Sequence, residues 1–179
     1  MNAMRQQAIE FHYHYCPRCG SANPSVGSVP FVCAACNLSV FFTPVAAVGG
    51  LLVNQEGLLL LVRRARDPGK GKWELPGGFV DRGESIEQAL VREIAEETQL
   101  ELSHIEYLTS HPNDYYYHGV MTPVADCFYI CHVAAGQTLS TDAEEIEHYE
   151  WTRPTAEHLE NLAFPSNRVA IEMWLERQA

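Results

Sequence analysis

Apolar and polar positions change period several times along the 179 residues, and each change marks an element. From 45 to 53, "VAAVGGLLV" is an almost unbroken apolar run of strand length. "LLLLVRR" (58 to 64) is a second, and the turn "NQEG" between them predicts a hairpin or adjacent strands. From 86 to 98 the period lengthens to that of a helix, with Ile86, Leu90 and Ile94 on one stripe. Ser85, with Gln88 three positions on, is the capping box that starts it. Strand-like stretches follow near 105 to 110, 115 to 118, 125 to 134 and 146 to 151. The chain ends in a helix with Ser166 as expected N-cap and Val169, Ala170, Met173 and Trp174 as core face. Strands alternating with helices predict an α/β class.

The first forty residues follow no such pattern and carry cysteines instead. "CPRCG" and "CAAC" place Cys16, Cys19, Cys33 and Cys36 as two pairs with thirteen residues between them. Each pair, in a tight knuckle, offers two thiolates to one ion, and two knuckles close a tetrahedral Zn²⁺ site. A redox pair would stand beside a βαβ unit, for which this segment is too short. A piece of this size cannot bury enough apolar surface to fold unaided, so the metal supplies the missing stability. Four thiolates leave no open coordination position, which makes the site structural and puts any catalysis elsewhere. The extended connector "NLSVFFTP" ends at Pro44, so the expected domains are 1–43 and 44–179. Cys127 and Cys131 lie four apart on a strand, too far to bridge, and are expected to be buried thiols.

The formal net charge is −11, which argues against a protein that grips nucleic acid through its phosphates. No apolar run reaches the ~20 residues that span a bilayer, and the start lacks a secretion signal; the expected location is cytoplasmic, with no membrane partner. Five of the twelve cations (Arg63, Arg64, Arg66, Lys70, Lys72) nevertheless crowd into "RRARDPGKGKW". This is either a solvated basic loop or an anion site for a small phosphorylated ligand, with Arg63, Arg64 and the adjacent Trp73 as candidate substrate contacts.

The helix from 86 carries the opposite charge. Glu93, Glu96 and Glu97 fall within an arc of about 100°. On a solvated face such like-charge pairs cost only roughly 0.2 to 0.5 kcal/mol each, so an exposed acidic face remains open as a reading. In a cleft, two charges ~4 Å apart repel by about 4 kcal/mol at an effective dielectric near 20, and a divalent cation would remove that cost. Hard oxygen ligands suit Mg²⁺ or Mn²⁺.

The surrounding residues, "GFVDRGESIEQALVREIAEETQL" (78 to 100), resemble the Nudix box: Gly78, Glu84, Arg92-Glu93-Ile94, Glu96-Glu97 and Leu100 stand at its spacing. The resemblance implies a Nudix α/β/α sandwich with a mixed β-sheet, here preceded by a small zinc ribbon. It implies hydrolysis of the diphosphate bond in a nucleoside diphosphate derivative, with Mg²⁺ or Mn²⁺ held by Glu93, Glu96 and Glu97 and by the backbone carbonyl of Gly78. Glu84 and Arg92 would pair beneath these ligands and orient them, a role on which metal affinity depends. Glu145, in "AEEIEHYEW", stands in the family's usual place for an extra carboxylate and is the candidate general base. One position departs: Gln99 stands where the box carries glycine. A residue with a Cβ costs roughly 1 to 2 kcal/mol in the left-handed conformation, so the helix is expected to run further or to close in a different turn.

A four-cysteine ribbon before a Nudix domain resembles the NADH pyrophosphatase group, and "KGKWELPGGF" and "AFPSNRVAIEMWL" keep its general look. That group's specificity segment, Ser-Gln-Pro-Trp-Pro-Phe-Pro, is replaced by "SHPNDYY" (110 to 116), which keeps Ser110 and Pro112 only. The resemblance implies a dinucleotide, ADP-ribose or NAD(H)-like substrate, and the replaced segment counts against NADH itself among them. Tyr115 is a candidate for stacking on a base, although it shares a strand face with Tyr117 and packing competes for it. His111 and His118 are expected to make ordinary polar contacts. A rival reading is a non-catalytic module that senses a nucleotide while its ribbon contacts nucleic acid or protein. The complete set of box carboxylates and the low positive charge of the ribbon weigh against it. The expected partner is a small-molecule nucleotide, with a homodimer left open.

Overall fold

The two apolar runs after residue 44 become the middle of a sheet because both of their faces are covered. Residues 8–178 are described by the computed structural model of the chain. Strands β3 (Val45–Val53) and β4 (Leu59–Arg64) meet antiparallel at Val53 and Leu59. Asn54 shapes the turn between them, its Oδ1 accepting the N–H groups of Glu56 and Leu58. Along its whole length β3 pairs in parallel with β7 (Val120–Val133), from Val45↔Val124 to Val53↔His132. The order in the sheet is β5 (Trp73–Glu74), β4, β3, β7, β6 (Leu102–Tyr117), and β8 (Ile146–Thr152) lies antiparallel to β4.

Alternation along these strands sorts the core into two layers. Leu51, Val53, Leu59, Leu61, Phe128 and Ile130 face α3 (Pro165–Arg177), which contributes Ala170, Ile171 and Trp174. Val48, Leu52, Leu60, Val62, Tyr129 and Cys131 face α1 (Ile86–Thr98), which contributes Ala89, Leu90 and Ile94. A mixed sheet is thus sandwiched between helices, as the resemblance implies. Burial of each such Leu or Ile stabilises the fold by roughly 1.5 to 3 kcal/mol. A short helix α2 (Ala156–Glu160) precedes α3. Cys131 is buried and Cys127 half-buried, both as free thiols.

Several boundaries differ from expectation. Helix α1 starts at Ile86 with the reciprocal Ser85–Gln88 box, but it neither lengthens nor changes its turn at the far end. Gln99 itself takes the left-handed conformation, with φ 56° and ψ 23°. The cost is offset beside it: Leu100 is buried, and the Thr98 hydroxyl donates to the Ile94 carbonyl while accepting the Leu100 N–H. The N-cap of α3 is Phe164, not Ser166; Pro165 takes the first helical position and Ser166 is buried in the first turn. Its core face is also turned by one residue, with Ile171 fully buried and Val169 only partly so. The stretches expected at 105–110 and 115–118 form one strand, β6, running through Pro112. Proline is tolerated there because β6 ends the strand order, where a missing N–H need not break a ladder on both sides.

The chain separates into two compact units: one holds the chain up to Pro44 together with Asp114–Pro123, the other Val45–Asn113 and the chain from Val124 onward. In the first, a 3-10 turn (Ile9–His12) precedes the antiparallel pair β1 (Phe31–Val32) and β2 (Ser39–Val40). Its core is Cys16, Phe31 and Cys33 with Tyr13 and Phe42 packed against them, the Tyr13 ring centroid 4.8 Å from that of Phe42. Among the described residues no helix is long and apolar enough to cross a membrane.

Candidate functional site

Leu75-Pro76-Gly77-Gly78, leading out of β5, is held by three elements. Asn167 of α3 accepts the Leu75 N–H at 2.8 Å. Strand β3 takes two further groups: the Pro76 carbonyl accepts from Gly50 N at 2.8 Å and the Gly78 carbonyl from Val48 N at 2.9 Å. The Gly77 N–H donates to Glu97 Oε2 of α1 at 3.0 Å. Close approach requires glycine at 77 and brings Gly78 against a side chain. A Cβ on Gly77, at φ +149°, would run into the Val48 carbonyl oxygen, and one on Gly78 would lie 2.5 Å from the Glu93 carboxylate carbon.

The three box glutamates sit at three depths: Glu97 is 8% exposed, the Glu93 side chain 16% and the Glu96 side chain 61%. Arg92 ties them to Glu84. Its Nε and Nη2 donate to the two oxygens of Glu84, each at 2.8 Å. Nη1 reaches Glu93 at 2.8 Å and Glu96 at 3.2 Å, and Nη2 also donates to the Phe79 carbonyl at 3.1 Å. Only a guanidinium offers five donors in a fixed fork, which explains an arginine here. These bonds hold Glu84 down at about 2. Glu97 is pushed well above the usual carboxylate range, first by burial and then by the Glu74 carboxylate, with the Gly77 N–H opposing. Burial also raises Glu93, against the pull of Arg92.

Glu74 is the residue that sequence reasoning missed. It sits on β5 opposite Val62, 9% exposed and ion-paired with Arg64 Nη1 at 2.5 Å, and burial lifts it to about 7. The available signal was a lone acid between Trp73 and Leu75 beside a Gly-Gly pair, a buried charge in need of a partner. Arg64, one of the candidate substrate contacts, also donates from Nε to the Pro68 carbonyl and lies over the Phe164 ring. Arg63 donates to the Gly71 carbonyl, lies 3.4 Å from Glu147, and has its guanidinium 5.6 Å from the Trp73 ring centroid. The Trp73 ring also meets His158 edge-on at 5.4 Å. Glu145 is paired with Arg66 at 2.6 Å, and its charge raises both Glu93 and Glu97. Among the described residues Lys70 and Lys72 have no ion-pair partner and are exposed. Tyr115 belongs to the unit that contains the cysteines, its ring 6.2 Å from that of Tyr117. The ring Nδ1 of His111 lies 2.8 Å from the Pro112 carbonyl, and His118 stands in the β6–β7 turn against Tyr117.

The four cysteines are brought together. Their sulfurs all lie within 4.8 Å of one another, with Cys16–Cys36 at 3.7 Å and Cys19–Cys33 at 3.6 Å. The edge of a tetrahedron with Zn–S bonds of about 2.3 Å is about 3.8 Å, so the set fits a zinc ribbon. The two knuckles repeat one turn. Gly20 N donates to Cys16 O and Asn37 N to Cys33 O, both at 2.9 Å, and Gly20 and Asn37 are both left-handed. Contact with Ser21 pulls the Cys19 thiol down to about 6, towards the thiolate that a metal takes. Among the described residues this is the only group of three or more such side chains drawn that close. Glu93 and Glu96 are bridged by Arg92 Nη1, which donates to both. As a donor set, carboxylate oxygens without His or Cys, with Glu97 buried and Glu93 half-buried, fit a hard dication.

Residues 43–172 match the NUDIX domain. Over 61 residues the chain is 46% identical to the ADP-ribose pyrophosphatase of Methanocaldococcus jannaschii, covering 34% of this chain and 36% of that one. Over 152 residues it is 30% identical to the human mitochondrial NAD(P)H pyrophosphatase NUDT13, covering 82% of this chain and 41% of that one. The chain thus spans well under half the length of these curated relatives. Among solved structures, the NUDIX domain of Shewanella oneidensis NrtR, complexed with ADP ribose, superimposes with a TM-score of 0.61 at 28% identity, covering 78% of this chain and 91% of that one.

Proposed function

The chain belongs to the Nudix family, and on that premise we propose that it is a pyrophosphohydrolase, dependent on Mg²⁺ or Mn²⁺, acting on an ADP-ribose-like or NAD(H)-like nucleotide. It cleaves the diphosphate bond to give a nucleoside monophosphate and a second phosphorylated product. The observation that carries this reading is Glu97, a carboxylate in the second layer of the core, held on the Gly77 N–H and pressed by the charges of Glu74, Glu145 and Glu93. A dication held there would remove that cost and would supply charge neutralisation at the diphosphate and a more acidic water. The substrate class is supported by the ADP-ribose and NAD(P)H named for the relatives and by the ADP ribose in the NrtR complex.

The chain's own residues divide the work. Glu93, Glu96 and Glu97 present the metal-binding oxygens, with the Gly78 carbonyl as a further ligand. Arg92, braced on Glu84, fixes the Glu93 and Glu96 side chains so that ordering them on binding costs little entropy. Glu145 lies outside that clamp, within electrostatic reach of Glu93 and Glu97, and accepts the proton of the attacking water. Arg63, Arg64 and Trp73 are the proposed substrate contacts, Arg64 with its guanidinium anchored on Glu74. The segment up to residue 43 is a ribbon whose zinc is structural, and 44–179 carries the chemistry.

Incubation of the chain with ADP-ribose, NADH, NAD⁺, sugar nucleotides and nucleoside triphosphates, with and without Mg²⁺ or Mn²⁺, tests the proposal. Metal-dependent release of a nucleoside monophosphate from the first three is expected. Absence of turnover across the panel would overturn it.

A further inference from the structure

We propose that Asn167 is a positioning residue for the acidic site: by holding the Leu75 N–H it sets where Glu97 and Glu93 present their carboxylates. The inference rests on the metal-dependent reading of the site and extends it to a helix that supplies no acidic side chain there.

Strand β5 runs out of partners at this point. It pairs with β4 through Trp73 and Glu74 alone, opposite Arg63 and Val62. On its other side the chain entering α3 takes over: Trp73 N donates to Asn161 O at 3.0 Å, and Ala163 N donates to Trp73 O at 2.8 Å. The next rung belongs to the Leu75 N–H, but the neighbouring chain has already turned into the helix that begins at Pro165. The side-chain carbonyl of Asn167 stands in for the missing backbone acceptor, in a fully buried bond of 2.8 Å. Asn167 is itself 6% exposed and is fixed from both sides: its own N–H donates to Phe164 O, and the adjacent Ser166 hydroxyl donates to the buried Asp126 of β7.

The residues after Leu75 transmit the position. Pro76 has no N–H and a restricted φ, so the next donor is the Gly77 N–H, which ends on Glu97 Oε2. Gly78 comes next, with the Glu93 carboxylate packed against its Cα. Asn167 therefore anchors one end of a four-residue stretch whose other end is the seat of two box glutamates. A side chain without an oxygen at 167 leaves the Leu75 N–H without this bond, and the stretch is then held only by β3 at Pro76 and Gly78 and by Glu97 at Gly77.

The test is Mn²⁺ binding to the full chain with its zinc retained, followed by electron paramagnetic resonance of free Mn²⁺, for the parent, Asn167→Ala and Asn167→Asp. Loss of the acceptor should weaken Mn²⁺ binding by about tenfold or more, the usual effect of removing a residue that orients a ligand. Asn167→Asp, which keeps an oxygen in place, should stay within about threefold of the parent on the same scale. The expected kinetic signature is a fall in kcat with KM for the nucleotide unchanged. Alanine-variant affinity equal to the parent's would overturn the proposal, and so would an Asp variant as weak as the Ala variant. Should Asn167→Ala not fold, Asn167→Leu fills a similar volume without an acceptor and carries the same expectation and refutation. If the parent takes up no Mn²⁺, the metal reading and this inference fall together; uptake by the parent with no change in the variants removes this inference alone.

Discussion

Between about pH 5 and pH 8, stability of the protein without a divalent ion at its carboxylates should fall as pH rises, and Glu74 should account for a measurable share. Burial lifts this carboxyl from 4.5 to about 7 against the attraction of Arg64. The folded chain then keeps the proton across a range in which the unfolded chain has released it, so the native state binds more protons and stability declines with pH. The penalty is absent below 4.5, grows through the interval and is complete once pH is well above 7. At about 1.4 kcal/mol for each pH unit of displacement, it amounts to about 3 kcal/mol. Glu97 and Glu93, also raised by burial, act in the same direction. Glu84 does not interfere: held at about 2, it stabilises the fold fully above 4.5 and loses that contribution only as pH falls through 2. Urea denaturation of the parent and of Glu74→Gln at several pH values isolates the Glu74 share. Gln differs from the protonated carboxyl by an offset that does not vary with pH and has no proton to release, so the readout is the slope. With a urea dependence of about 2 kcal/mol/M, the midpoints of parent and variant should move by about 1.5 M relative to one another between the two ends. Parallel pH profiles for the two proteins would refute the reasoning.

Three further outcomes are expected. Glu97→Gln keeps an acceptor for the Gly77 N–H but removes the buried charge, so turnover should drop by about 100-fold or more while zinc content and the circular dichroism spectrum stay those of the parent. Gly78→Ala places a Cβ 2.5 Å from the Glu93 carboxylate carbon, and should weaken Mn²⁺ binding by about tenfold, read by calorimetric titration. Cys33→Ser removes one of four converging thiols, and should release zinc, detected with a chromogenic chelator, and lower the unfolding temperature of the N-terminal segment.

The parts of the fold that were legible are those in which a short-range chemical rule decides. Ser85 and Gln88 announced the start of α1 because each satisfies the other's backbone, and nothing distant competes. The apolar runs at 45 and 58 announced adjacent strands, which the fold covers on both faces. Elsewhere, distant partners overrode the local signal. Ser166 has the character of an N-cap, but Asp126, forty residues away, takes its hydroxyl and leaves the cap to Phe164. Gln99 keeps a left-handed turn that local energetics disfavour because Thr98 and Leu100 are locked beside it. At the site, the depth order of Glu97, Glu93 and Glu96 follows from helix geometry once the packed stripe is known. Glu74 was hidden because its partner Arg64 lies across a loop, and only the fold shows that its charge reaches Glu97. Asn167 was hidden for the same reason, since its partner is a backbone N–H ninety-two residues earlier.

The fork of Arg92 has a consequence for how this chain can vary. One guanidinium is divided among Glu84, Glu93 and Glu96, so removing any one acid releases donors that redistribute over the other two. The effects of paired replacements will not be the sum of the single ones, because side chains within one hydrogen-bonded network couple. A replacement at any of these four positions is therefore felt at the other three, whereas one at an exposed neighbour outside the fork, such as Val91, is not.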